Sequence, residues 1–386
     1  MIKINKVYLI IFCISVLLFI TNVNGQSKMQ VKSSDTADDL PACCRGLGCS
    51  CAYDMTPEGV MYGHTHEKGM FMLSASYMDM NMGGNIQGAS QVSDPGLFNQ
   101  GYQMASPGMN MQMIMLMAMY GISDKLTLMV MGGYSYMKMP MNMLLETKNG
   151  IQYMNMYGGG GVYEMPLSEM GVSNTTAYSR SSGLGDISVC GIYNAYSRAG
   201  QKVLLTLGIS LPTGSINVPN TSGMYGATTE YSMQLGSGTV DYLPAITYIH
   251  TIGKTSWGVS GAAVVRSGYN AMGYKLGNEE TITTWAAHKL KQWLSVSIRA
   301  EATNQGTIHT VTGSEAENFN YSEPDAGIAN SGGQHLNAYA GVNFYLNSII
   351  KNSRLAVEYG LPVYQNVNGI QNATKNMLYA GWRISF

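Results

Sequence analysis

The segment MNMQMIMLMAMY, residues 109–120, places methionine at every odd position and Ile114, Leu116, Ala118 and Tyr120 at the later even ones. Side chains on an extended strand alternate between faces, so this segment has one thioether face and one hydrocarbon face. The split recurs at 70–82, where Phe71, Leu73, Ala75 and Tyr77 oppose Met70, Met72, Ser74, Ser76, Met78, Met80 and Met82. It recurs at 125–143, where Leu126, Leu128, Val130, Tyr134 and Tyr136 oppose Thr127, Met129, Met131, Ser135, Met137, Met139, Met141 and Met143. Farther along, methionine gives way to ordinary polar residues but the period of two persists. Leu294, Val296, Ile298 and Ala300 oppose Ser295, Ser297, Arg299 and Glu301. In the last segment Leu378, Ala380, Trp382, Ile384 and Phe386 oppose Met377, Arg383 and Ser385.

The pattern predicts strands at 70–82, 109–120, 125–139, 183–197, 201–211, 239–251, 255–267, 280–288, 292–302, 335–346, 353–362 and 376–386. Their connections alternate in length. Short turns lie at 121–124, 197–200, 252–255, 288–292 and 346–353; long connections lie at 83–108, 140–182, 212–238, 268–279, 303–334 and 363–375. An apolar face opposite a mixed polar face, short turns at one end and long loops at the other are the marks of a transmembrane barrel. The expected fold is therefore all-β: an up-and-down antiparallel β-barrel of about twelve strands. A soluble sandwich would also alternate, but with more Lys and Glu on its outer face.

Composition sharpens this. Charged residues make up 12% of the 386-residue chain, about half of the roughly 25% usual for globular domains. The net charge of −1 gives no footprint for nucleic acid. Residues 1–25 combine Lys3 and Lys6 with an apolar run from Val7 to Ile20 and end at Gly25. This reads as an export signal, the other reading being a retained membrane helix. The expected organisation is a signal at 1–25, an N-terminal periplasmic or plug segment at 26–68, and an outer-membrane barrel at 69–386.

Methionine changes the functional picture. Of 30 methionines, 24 fall between residues 55 and 170, so the bias is regional. With the hydrocarbon face toward lipid, the thioethers line the lumen. Thioether sulfur is a soft donor that selects Cu(I) over Zn²⁺, Mg²⁺ or Ca²⁺. It is also a flexible apolar filler, so a greasy ligand path and plain packing stay open beside metal contact. The expected soft ligands are Met78, Met80, Met111, Met113, Met115, Met129, Met131 and Met137. Two further clusters precede the barrel. CCRGLGCSC holds Cys43, Cys44, Cys49 and Cys51, which suit either disulfides in an oxidising compartment or a soft metal. His64 and His66 stand one residue apart between Met61 and Met70, which puts both imidazoles on one side of an extended segment. Cys190 faces the lumen by parity. Ser295, Arg299 and Glu301 read as a solvated charge ladder inside the pore.

GLGDISVCGIYN, 183–194, followed by LGISLPTGSI, 207–216, resembles a motif pair in the family of bacterial outer-membrane barrels named for the MetA pathway of phenol degradation. That family is distantly similar to fatty-acid-type outer-membrane transporters. GVMYGHTHEKGMFMLSASYMDMNMGGN, 59–85, resembles the start of a Met-rich, transporter-like subgroup associated with copper handling. The resemblance implies a barrel and passive movement of small molecules, with no catalytic residues. The chain itself has no G-x-S-x-G, H-E-x-x-H or P-loop motif. The expected function is an outer-membrane barrel that binds or conducts copper as Cu(I) through a Met-lined lumen. The alternatives are a channel for small apolar or aromatic molecules and a structural or adhesive surface barrel. No cofactor is required, copper entering as substrate or ligand. The expected partners are outer-membrane lipid, a metal ion or small molecule, and periplasmic copper-handling proteins.

Overall fold

The computed structural model describes residues 54–158, 161–170, 175–220, 228–312 and 323–386. Residues 1–53, including the leader and Cys43, Cys44, Cys49 and Cys51, lie outside the described residues. The chain is an antiparallel sheet closed on itself. In order, its staves are β1 (Phe71–Gly88), β2 (Gly108–Ser123), β3 (Leu126–Met143), β4 (Thr176–Leu184 with Ile187–Arg198) and β5 (Gln201–Leu211). There follow β6 (Asp241–Tyr242 with Ala245–Ile252), β7 (Thr255–Arg266), β8 (Glu279–Lys291), β9 (Leu294–Gln305) and β10 (Gly333–Tyr345). The final extended run, Ser353–Ser385, is 33 residues long and folds back at Asn368 and Gly369. Its first arm, β11 (353–367), pairs with β10, and its second, β12 (370–385), pairs with β1 and closes the barrel.

That hairpin replaces the long connection expected at 363–375. The reversal uses Gly369 at a positive φ of 60°, a backbone state that glycine adopts without steric cost. The arms beside it mix polar residues with buried Val367, Ile370 and Ala373, so the period-two signal fades there. β1, β3 and β4 also run longer than their apolar cores. Their outer ends include Asp79 and Asn81 of β1, which accept from Asn110 of β2 at 2.7 and 2.9 Å. Such a cluster on the outward face marks where the strands leave hydrocarbon for the headgroup region. Residues 146–166, expected as loop, form a small separate sheet of Glu146–Lys148, Ile151–Gly158 and Gly161–Pro166.

Two staves are interrupted for local reasons. Pro244 lacks the N–H that a ladder needs, and it splits β6. In β4, Met131 pairs with Ser188 while Tyr134 pairs with Leu184. Two residues of β3 thus face three of β4, a bulge at Gly185–Ile187. Asp186 sits in that bulge. Its carboxylate accepts from the amides of Gly214 at 2.9 Å and Ser237 at 2.8 Å.

Parity holds around the methionine-bearing strands. Ile114 and Leu116 are 53% and 62% exposed, whereas Met119 and Met129 are wholly buried. Aromatic pairs mark the short-turn end of the barrel: Phe71 stacks on Phe386 and Trp293 on Phe344, each at 6.4 Å between centroids. Leu116→Arg, at mid-strand on the hydrocarbon face, is expected to lower folding free energy by about 2–4 kcal/mol. Urea titration of the protein in lipid vesicles measures it.

Candidate functional site

Strand register turns the methionine face into rows. Met72 of β1 pairs with Met119 of β2, Met119 with Met129 of β3, and Met129 with Cys190 of β4. Farther out, Met78 pairs with Met113, and Met113 with Ser135. Nearer the outer end, Met377 of β12 pairs with Met80, Met80 with Met111, and Met111 with Met137. Neighbouring strands are ~4.8 Å apart and same-face residues on one strand ~6.8 Å. The wall is therefore a grid of thioethers in which lateral neighbours are nearer than vertical ones.

The grid is packed into two apolar clusters. The inner one joins Met72, Met117, Met119, Met129 and Cys190 to Ile192, Leu204 and Trp285, with Val60 against them. The outer one joins Met109, Met137, Met139 and Met141 to Met104 and Met233, which loops bring in from above. Half-buried Met78, Met113 and Met115 lie between the two. The Met113 sulfur rests against Gly133, where a Cβ would lie 3.4 Å from it. The wall formed by β7, β8 and β9 is different. Ser260, Thr281, Thr283, Glu279, Glu301 and Thr303 line a cavity of about 190 Å³, closed on its other side by Gly59 to Tyr62.

Residues 54–69 form a plug that enters and returns at the same end of the barrel. Arg354 Nη1 of β11 donates to the Asp54 carbonyl at 2.5 Å and to the Thr56 carbonyl at 2.9 Å. The chain then rises to Val60 and Tyr62 at the inner methionine cluster. It descends until the His66 amide donates to Thr127 Oγ1 at 2.8 Å, and Gly69 N–H reaches the Gly121 carbonyl at 2.8 Å.

An ionic belt holds the plug. Glu58 Oε2 lies 3.0 Å from Arg383 and 3.4 Å from Arg354, and Ser76 Oγ donates to Glu58 Oε1 at 2.7 Å. The Gly59 amide donates to Glu358 Oε2 at 2.5 Å. Glu358 in turn takes Arg299 Nε at 3.2 Å, and Arg299 reaches Glu301 at 2.6 Å. Gly381 leaves the space that the Glu58 carboxylate fills; a Cβ there would collide with it. Arg299 is thus buried and doubly paired, which corrects the expectation of a solvated ladder. Ser295 is buried too, bonded to Tyr345 and Asn343. Burial by itself would raise the Glu58 pKa, but Arg383 and Arg354 outweigh it and hold the carboxyl below its ordinary value.

His64 and His66 are 3% and 1% exposed, with ring centroids 5.5 Å apart in a T-shaped pair. Among the described residues, none of their four ring nitrogens has a hydrogen-bond partner. Burial, reinforced by Arg383, keeps both neutral: His64 falls well below the usual imidazole range and His66 is pushed down to about 4.

The structure brings the expected ligands together unevenly. Met129 and Met131 lie at the inner cluster, Met137 and Met111 at the outer one, and Met80 beside Met111. Met78, Met113 and Met115 occupy the middle rows. Sequence reasoning passed over Met72, Met119 and Met377, although their parity is the same. It also missed Glu58, Arg354, Glu358 and Arg383. A signal for the arginines existed: inward parity on strands otherwise nearly free of charge. Among the described residues, no three His, Cys, Asp or Glu converge as a metal site would require.

No protein-family model matches the chain, and no curated protein matches it in sequence. Solved structures do. The crystal structure of an outer-membrane channel from Pseudomonas putida F1 is similar over 86% of this chain and 100% of its own, at 13% identity and a TM-score of 0.52. A FadL homologue from Pseudomonas aeruginosa covers 83% of this chain and 90% of its own, at 11% identity and a TM-score of 0.39. The NanC porin covers 80% and 98%, at 8% identity and 0.38. The chain has the fold of an outer-membrane β-barrel.

Two outcomes follow from the belt. Glu58→Gln leaves buried arginines short of a counter-charge and is expected to weaken plug docking by about 3–5 kcal/mol, read as faster proteolysis of the plug in folded barrels. Docking is also expected to weaken in acid. Between pH ~6.5 and ~4 a released imidazole takes a proton that docked His66 refuses, so stability is complete above that window and falls through it. Glu58 adds a further loss as pH drops below its ordinary carboxylate value. Protease protection across pH, with a chelator present, checks this, and His64→Gln together with His66→Gln is expected to flatten the upper limb.

Proposed function

We propose that this barrel is a passive channel for small apolar or aromatic molecules, with residues 54–69 as its gate. The observation that carries the reading is the methionine wall. It runs from Met72 to Met141 on three adjacent strands, meets an apolar cluster at each end, and carries no charged residue at its inward positions. Thioethers give a solute an adaptable apolar surface without fixed rotamer demands. The Ser, Thr and Glu wall opposite gives a weakly polar end group a place to hydrogen-bond. The similar Pseudomonas putida protein is an outer-membrane channel, which agrees with this class of function. So does the resemblance of 183–194 and 207–216 to the motif pair of the phenol-degradation family.

A second reading is conduction of soft metal ions, Cu(I) above all, with periplasmic copper-handling proteins as donors or acceptors. Lateral adjacency supports it: Met80 beside Met111 beside Met137 offers more than one sulfur at a single height. Successive rows of weak donors suit entry and exit better than one tight thiolate site.

Flux into proteoliposomes separates the two. The first reading expects a phenol-sized apolar solute to enter faster than into protein-free vesicles, glucose to be excluded, and Glu58→Gln to raise the apolar flux. Met113→Arg, in the middle of the wall, is expected to cut that flux at least tenfold. Ag(I) or Cu(I) flux without organic flux would replace the first reading by the second; neither would remove both.

A further inference from the structure

We infer that the plug and the inner methionine row together form a binding site for one soft monovalent cation, Cu(I) or Ag(I), with His64 and His66 as its nitrogen ligands and Met119 and Met129 as its sulfur ligands. The inference gives the soft-metal reading a defined resting site and rests on that chemistry. Binding is measured here without flux, so either can fail alone.

Four buried imidazole nitrogens without hydrogen-bond partners are the starting point. Buried polar atoms are nearly always satisfied, and here the described residues supply no partner. Two imidazoles that share one ion through nitrogens ~2.0–2.1 Å away place their ring centroids about 5–6 Å apart. The observed separation is 5.5 Å. The position is fixed from the wall side. His66 N–H is tied to Thr127 Oγ1, and Met129 is the next residue along that same face of β3. Met129 pairs with Met119, Met119 with Met72, and Val60 and Tyr62 of the plug pack against the same cluster.

The donor set selects the ion. No carboxylate or third imidazole joins the histidines among the described residues, so a dication that needs four hard or borderline ligands is poorly served. Thioethers complete the set, and thioethers select Cu(I).

The test uses the full chain refolded in detergent with Cys43→Ser, Cys44→Ser, Cys49→Ser and Cys51→Ser, so that these four thiols do not compete. Titration with Cu(I) against a chromogenic chelator is expected to give one tight ion per barrel. X-ray absorption is expected to show nitrogen and sulfur together in the first shell. His64→Ala with His66→Ala, and separately Met119→Leu with Met129→Leu, are each expected to weaken binding at least tenfold. Met111→Leu with Met137→Leu is expected to leave the tight ion in place. Ag(I) should displace Cu(I), and Zn(II) should not. A nitrogen-free shell, unchanged affinity in the histidine variant, or an equal loss from the outer-row variant would overturn the site. Heat-dependent gel mobility verifies folding, and the isosteric Met119 and Met129 variant decides if the alanine variant does not fold.

Discussion

Hydrocarbon offers the backbone no hydrogen bonds, so a sheet that crosses it must pair every strand and close. That constraint organises this chain. Closure sends alternate residues to opposite environments, and each strand must satisfy lipid on one side and the lumen on the other. Leu116 and Met117 are chain neighbours, yet one is 62% exposed and the other 8%. The methionines are concentrated on β1 to β3 because those strands are consecutive and therefore adjacent. One wall becomes sulfur-rich while the wall formed by β7 to β9 stays hydroxylic and acidic.

The belt inside the barrel follows from the same closure. The wall contributes Arg299, Arg354 and Arg383 but only Glu301 and Glu358 to the cluster, and Glu58 of the plug supplies the third carboxylate. The cluster balances only with the plug in place. Pairs buried this deeply contribute little net stability, but removing one partner is costly. The belt therefore specifies where the plug sits more than it stabilises the barrel. Gly59 and Gly381 serve that placement sterically, because a methyl group at either would meet Arg299 or Glu58.

How much of this the sequence disclosed can be traced residue by residue. Parity at 109–120 gave the faces of β2 correctly, because the hydrocarbon band forces alternation wherever a strand crosses it. It failed at 363–375, where polar and apolar residues share both faces and Gln365 bonds Thr374 across the hairpin. Length alternation placed the turns at 121–124 and 252–255 because such turns are local. Arg299 was legible as inward but not as buried: its partner Glu358 is 59 residues away, and no short-range pattern announces that contact. Glu58 lies still farther in sequence from Arg354 and Arg383. The inner row of Met72, Met119 and Met129 depended on register between strands, which a single strand's pattern does not fix.

One connection in the plug has a mechanical meaning. Only Glu67, Lys68 and Gly69 separate His66 from Met70, whose carbonyl already accepts from Gly121 of the barrel wall. Gly69 has a φ of 85°, a backbone state that glycine adopts freely. The descending limb is therefore on a leash of three residues, while the ascending limb, from Asp54 to Glu58, is held by side chains alone. If the proposed gate opens, that leash confines it to a swing about Gly69 that starts at the arginines and frees the ascending limb first.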